Sequence, residues 1–346
     1  MKIIKVTSLI IVAFALQSLV VRHDVPDEKF IELAKHYPQI CHFEMGEGTL
    51  IASQWILTAG HIGNDLQRDM ESGKNPFVTC NGQPHSIEGV FVHPDFKSMS
   101  EGLNNDICLV KIKTAVTHVT PVKVYSKKDE SGKHITLVGS GDVGTGKVGP
   151  QKWDKITRAA TNVIDGVDPH WIFFLFDPPE SKQATAYEGI SGPGDSGGPA
   201  LAEFGNDVYI VGVSSFQKGQ EQFGKGRYGV TEYYARVSAY SNWIDLTMMA
   251  QTKALPKVNH TEENKDDKLN EYVGDYGFRK IVVKNNALHF QRDEEPLILM
   301  KEIGKDLFLW EDGNTKLQFV RNADRLINGF EIRRMNGEVV KVNKNR

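Results

Sequence analysis

Cysteine is scarce in this chain of 346 residues, which has three: Cys41, Cys80 and Cys108. An odd number at scattered positions is neither a disulfide framework nor a metal pattern. At most one bridge can form, and the sequence leaves its partners open. An excess of one charge is also lacking. A net charge of -3, from 41 basic and 44 acidic residues, gives neither a nucleic-acid footprint nor an acidic tail. No stretch beyond the first residues approaches the length of a membrane span. Glycine, in contrast, is plentiful at 32 residues, which favours a turn-rich, all-β molecule. The length is too great for one ordinary core and points to two or three domains.

The first residues read as a targeting segment. Lys2 and Lys5 precede an apolar run from Leu9 to Leu16, and Ala13 and Ala15 offer a small-x-small cleavage site. Gln17 and Ser18 cut the apolar run short of a span. The expectation is a cleaved leader over residues 1–19 and an exported protein, secreted or periplasmic, with no stable membrane span after cleavage.

Gly194-Asp195-Ser196-Gly197-Gly198-Pro199 organises the rest. A serine hydroxyl is a weak nucleophile unless a base takes its proton and donors hold the oxyanion that forms. Glycines on both sides allow a sharp turn that aims two N–H groups and a hydroxyl at one reacting atom. Upstream, the β-rich run Gly48 to Thr58 leads to Ala59-Gly60-His61, which puts His61 at a strand end. Asn105-Asp106-Ile107-Cys108-Leu109-Val110 carries Asp106 into an apolar strand, where a charged carboxylate must be hydrogen-bonded. An imidazole N–H is its natural partner.

These three stretches resemble the trypsin/chymotrypsin family of serine proteases, of a secreted bacterial type. GDSGGP matches the family's nucleophile loop letter for letter, and the order His61, Asp106, Ser196 is the chymotrypsin order. The resemblance covers roughly residues 38 to 248. It implies two antiparallel six-stranded β-barrels with the triad between them and a C-terminal helix from Ser238 to Ala250. It implies hydrolysis of protein or peptide substrates through an acyl-enzyme, with no metal and no cofactor. Ser196 would be the nucleophile, His61 the general base, Asp106 its orienting partner, and the N–H groups of Gly194 and Ser196 the oxyanion hole. The alternative on the same scaffold is a non-catalytic or zymogen-like peptide-binding protein.

The chain departs from the family at the disulfide beside the histidine and at Cys108. The disulfide that usually brackets the histidine is missing, its two positions being Gly46 and Ile62. Cys108 falls where the family often has alanine and reads as a buried, inert thiol. Val20-Val21 resembles the family's mature N-terminus, whose ammonium would pair with Asp195; equally, it reads as the end of the apolar run. The specificity pocket is ambiguous. Its base aligns with Ile190 and its walls with Gln217 and Glu232, beside the substrate-pairing strand that ends in Ser215 and Phe216. Glu232 would either select lysine or arginine from inside the pocket or point to solvent.

Residues 251–268 are polar and charged, a linker by composition between a protease domain over 20–250 and a small antiparallel β-domain over 269–346. In that last segment seven β-patterned runs alternate with turns such as Asp312-Gly313 and Asn336-Gly337. Leu269 to Gly277 and Phe319 to Ala323 resemble small β-domains appended to secreted bacterial serine hydrolases. No catalytic constellation appears there, and its partner is unknown.

Overall fold

The computed structural model describes residues 19–98, 102–252 and 269–345, apart from 278, 286, 293–296, 311–314, 323 and 335–338. The expected leader, save Leu19, and the expected linker, save Gln251 and Thr252, lie outside the described residues, as do the two turns just named.

Strand β1 (Val20–Val21) and helix α1 (Asp27–Ala34) precede six strands that close into a barrel. These are β2 (Ile40–Phe43), β3 (Gly46–Ala52), β4 (Trp55–Thr58), β5 (Phe77–Cys80), β6 (Gln83–Val92) and β7 (Cys108–Ile112), in the spatial order β2-β3-β4-β7-β6-β5. Every residue of β4 is buried, as the apolar run WILT predicts. Cys41 faces Cys80 across the β2–β5 seam, and the two are joined by a disulfide with Cα atoms 4.3 Å apart. The bridge that the sequence left open thus pins the barrel where it closes. Cys108 is free and buried, and burial pushes its thiol pKa up, which fits an inert side chain.

Helix α2 (Gly60–Glu71) follows β4 and packs on β6 and β7. A Cβ on Gly63 would lie 2.5 Å from Cys108 Sγ, so this close approach requires glycine. Gly46 and Ile62 are neighbours in space: a Cβ on Gly46 would meet Ile62 Cδ1 at 2.7 Å. Where the family's disulfide would sit, an isoleucine side chain fills the gap left by a glycine.

The next segment contains β8 (Lys123–Val124), β9 (His134–Gly139), β10 (Asp142–Thr145), β11 (Gly149–Trp153), β12 (Arg158–Val163), β13 (Gly166–Val167) and β14 (Trp171–Leu175). It continues with β15 (Gly189–Ile190), β16 (Pro199–Phe204), β17 (Asp207–Lys218), α3 (Gln220–Phe223) and β18 (Thr231–Arg236). Six of these strands run β12-β9-β16-β17-β18-β14 as the second barrel-like sheet, extended by the short β13 and β8. Strand β1 inserts between β10 and β15, with Val20 opposite Ile190, and Leu19, Val20 and Ile190 are wholly buried in the core. Arg236 and the fully buried Glu130 form a two-pronged pair (3.0 and 2.7 Å).

Helix α4 (Val237–Thr252) matches the expected C-terminal helix. The chain divides into two compact units, one ending at Ala239 and the other beginning at Tyr240. In the second, eight strands form an antiparallel meander, each paired with the next: β19 (Gly274–Tyr276), β20 (Arg279–Lys284), β21 (Ala287–Arg292), β22 (Ile298–Gly304), β23 (Leu307–Trp310), β24 (Thr315–Arg321), β25 (Ile327–Arg334) and β26 (Val339–Asn343). The seven expected runs are all strands, and β19 precedes them. Tyr272, Tyr276, Phe290, Phe308, Phe319 and Phe330 fill its core. The architecture is all-β, a chymotrypsin-type pair of sheets with an additional β-unit.

Candidate active site

Asp106 stands just before β7, and His61 is the second residue of α2. The expected strand end is therefore a helix start, two residues beyond β4, and this difference matters chemically. The first turn of a helix has unpaired N–H groups, and here a buried carboxylate takes one of them. Asp106 Oδ1 accepts from the His61 backbone N–H at 2.8 Å, while Oδ2 lies 2.8 Å from His61 Nδ1. Ser215 Oγ also donates to Oδ2. Asp106 is 0 % exposed and the His61 side chain 26 %. Bonds to both the backbone and the ring of one residue fix the imidazole's orientation. They also make Nδ1 the donor, leaving Nε2 as a base. Burial disfavours the imidazolium, but the charge and hydrogen bond of Asp106 outweigh it, and the His61 pKa is raised.

Ser196 lies between two structural halves that hold its backbone. Its carbonyl accepts from Glu47 N in the first barrel (2.8 Å), and the next N–H, of Gly197, donates to Ser214 O of β17 (3.0 Å). Gly197 has φ +82°, and a Cβ there would fall 2.2 Å from Thr58 Oγ1 and 2.4 Å from Glu47 O. Only glycine fits this turn. Among the described residues no hydrogen bond engages the N–H of Gly194 or of Ser196, and none joins Ser196 Oγ to His61. Free donors are what an oxyanion hole needs.

Asp195, 1 % exposed, points away from Ser196's chemistry into the loop's foundation. Its oxygens accept from Gly141 N (3.2 Å) and Gly192 N (2.9 Å). Burial, then the charge of Glu47, push its pKa up to about 8. Glu47 is itself 2 % exposed. Ser140 donates to its Oε1 from both N (3.0 Å) and Oγ (2.6 Å), and His42 Nδ1 lies 2.6 Å from Oε2. Sequence reading missed Glu47, Ser140 and His42. The available signal was a carboxylate set between two glycines, Gly46 and Gly48, at the head of a β-rich run. An open cleft borders this cluster and reaches Gly194, walled by Phe43, Met45 and Trp153.

The pocket residues separate into different environments. Ile190 is wholly buried in the core. Ser215 bonds Asp106. Phe216 stacks on Tyr233 with centroids 4.8 Å apart and meets Trp171 edge-on at 4.9 Å. Gln217 and Glu232 face each other across β17 and β18, and Gln217 Nε2 donates to Glu232 Oε2 at 2.8 Å. Glu232 is 1 % exposed, so it does not point to solvent. Ser191, which the sequence reading did not mark, donates its hydroxyl to Glu232 Oε1. Among the described residues no group of His, Cys, Asp and Glu is arranged to hold a metal.

A family model described as Trypsin matches residues 33–244. Chicken (Gallus gallus) urokinase-type plasminogen activator is 27% identical over 246 residues, covering 59% of this chain and 50% of that protein. Pig (Sus scrofa) complement C1s subcomponent is 30% identical over 237 residues, 61% of this chain and 33% of that protein. Trypsin Tyr p 3.0101 of Tyrophagus putrescentiae is 28% identical over 229 residues, 62% of this chain and 75% of that protein. The chain thus spans half the length of the first relative and a third of the second. With the matched segment enclosing His61, Asp106 and Ser196 in one fold, the chain belongs to the trypsin family of serine peptidases.

Proposed function

We propose that the protein is a secreted serine endopeptidase working through an acyl-enzyme. Ser196 attacks the peptide carbonyl, and His61 takes its proton through Nε2 and returns it to the leaving amine. Asp106 orients the ring and steadies the imidazolium. The N–H groups of Gly194 and Ser196 hold the oxyanion, and water then releases the acyl group. The observation that carries this reading is the grip of Asp106 on both the N–H and the ring of His61, with Ser215 as a third donor. The division into a leader over 1–19, a protease domain over 20–250, a linker over 251–268 and a β-domain over 269–346 belongs to the same proposal. So does the bacterial attribution, which rests on the likeness of the last segment to domains appended to bacterial hydrolases. Export agrees with the basic-apolar start of the chain. Among the described residues no helix is long and apolar enough to cross a membrane.

A zymogen-like state is supported by one feature: Asp195 is 1 % exposed, and burial, then the charge of Glu47, raises its pKa. An ammonium freed near Val20, whose strand already lies in the core beside Ile190, would relieve that repulsion and brace the oxyanion loop. The test is covalent labelling by a fluorophosphonate of the wild type and of Ser196→Ala, with the N-terminus sequenced in the same sample. Labelling that requires Ser196 is expected from protein freed near Val20. A freed but unlabelled wild type would leave a binding protein on a protease scaffold.

A further inference from the structure

We infer that the pocket beside Ser196 is filled by the protein's own side chains, so that the enzyme cleaves after small residues and rejects large and cationic ones. This rests on the peptidase reading above and names its substrate class. Three polar groups form a clasp across the space between β17, β18 and the segment leading to Ser196. Gln217 Nε2 bridges Glu232 Oε2 (2.8 Å) and the Ser191 carbonyl (2.7 Å). Ser191 Oγ donates to the other oxygen of Glu232 and receives Ser214 Oγ at 3.0 Å. Gln217 and Glu232 are direct cross-strand partners, so the backbone sets their span.

Ile190, Ser191, Ser214 and Glu232 are all at most 3 % exposed. A pocket open to a long side chain would wet at least some of these groups. A residue entering this space must push Gln217 aside and strip a buried carboxyl of one of its two donors. Such a loss costs a factor of roughly 100 in rate for a side chain that cannot replace the bond. Alanine and glycine do not reach the clasp. Lysine or arginine would bring a charge for Glu232, yet Gln217 stands in the path. Burial also raises the pKa of Glu232, to about 8, which keeps it neutral and removes much of the attraction.

The test uses the full chain, processed at its N-terminus, on fluorogenic peptides that differ only at the residue before the scissile bond: Ala, Val, Leu, Phe and Lys. The expected profile favours Ala over Phe and Lys by about 100-fold in kcat/KM. Gln217→Gly should open the space and raise cleavage after Lys, since Glu232 is then exposed. Gln217→Gly with Glu232→Gly should instead raise cleavage after Phe and Leu. A wild type that cleaves after Phe or Lys as fast as after Ala overturns the inference, whatever the variants do. Fluorophosphonate labelling of Ser196 separates the two levels. A labelled enzyme with the wrong profile refutes the clasp alone, and an unlabelled one refutes the peptidase reading together with it.

Discussion

Replacing Asp195 by asparagine in the uncut chain removes the ionisable group of the nucleophile loop while keeping its shape. In the fold its pKa stands near 8, against an ordinary value of 3.8, because burial and then Glu47 disfavour the charge. Between those values the unfolded chain has released a proton that the folded chain retains. The stabilisation is therefore fully present below the unfolded value and drains away as pH rises through the folded one. The slope is one proton, about 1.4 kcal/mol per pH unit. Glu232, raised to about 8, and Glu188, raised to about 7, act with the same sign, both chiefly through burial. The parent should thus lose stability between about pH 5 and pH 7, and Asp195→Asn should lose about 1.4 kcal/mol less per pH unit. Both proteins would carry Ser196→Ala, to prevent self-digestion, and retain the residues before Leu19. Urea titrations at three pH values, extrapolated to water, measure the slopes. Equal slopes would mean that Asp195 is ionised in the fold, and the argument from paired buried carboxyls would fail. A chain freed at Val20 adds a control. Its ammonium should lower the Asp195 pKa and flatten the slope without any substitution.

Two further outcomes follow from the same geometry. The Cys41–Cys80 bridge closes a loop with a sequence separation of 39. Cys41→Ala with Cys80→Ala should cost about 4 kcal/mol by loop-closure entropy, read by urea unfolding against the oxidised parent; a cost under about 1 kcal/mol would show that the unfolded chain is hardly constrained by the bridge. In the pH profile of kcat/KM the acid limb should lie above 6.5, the ordinary histidine value. Asp106 outweighs burial in raising the His61 pKa, and only the neutral ring serves as base. A limb below 6.5 would contradict the pairing.

The parts of the site that were legible in the sequence are those where one residue type is forced by local chemistry. The loop around Ser196 needs glycine at 197 because φ is positive and two oxygens crowd the missing Cβ. Asp106 announced itself as a carboxylate leading into an apolar strand. The strands were legible for the same reason: alternation and β-branching are local. What stayed hidden depends on residues distant in sequence meeting in space. Cys41 pairs with Cys80 because of barrel closure, which no spacing rule encodes. The environment of Glu232 depends on its register against Gln217, where a slip of one residue would send it to the opposite face of the sheet.

Glu47 shows most clearly why a motif alone underdetermines this site. Its backbone N–H holds the Ser196 carbonyl, its carbonyl accepts from Thr58 Oγ1 at 2.6 Å, and its side chain raises the Asp195 pKa. One residue of the first barrel therefore contributes to both the position of Ser196 and the electrostatics of the loop that carries it. A glycine there would keep the backbone bonds and remove the buried carboxyl that pairs with His42 and disfavours charge on Asp195. His42 is the partner already set against that carboxyl, 2.6 Å from Oε2, and against burial Glu47 raises its pKa. Activity is therefore expected to follow the protonation of the His42, Glu47 and Asp195 cluster, and an ammonium freed near Val20, as well as the triad residues.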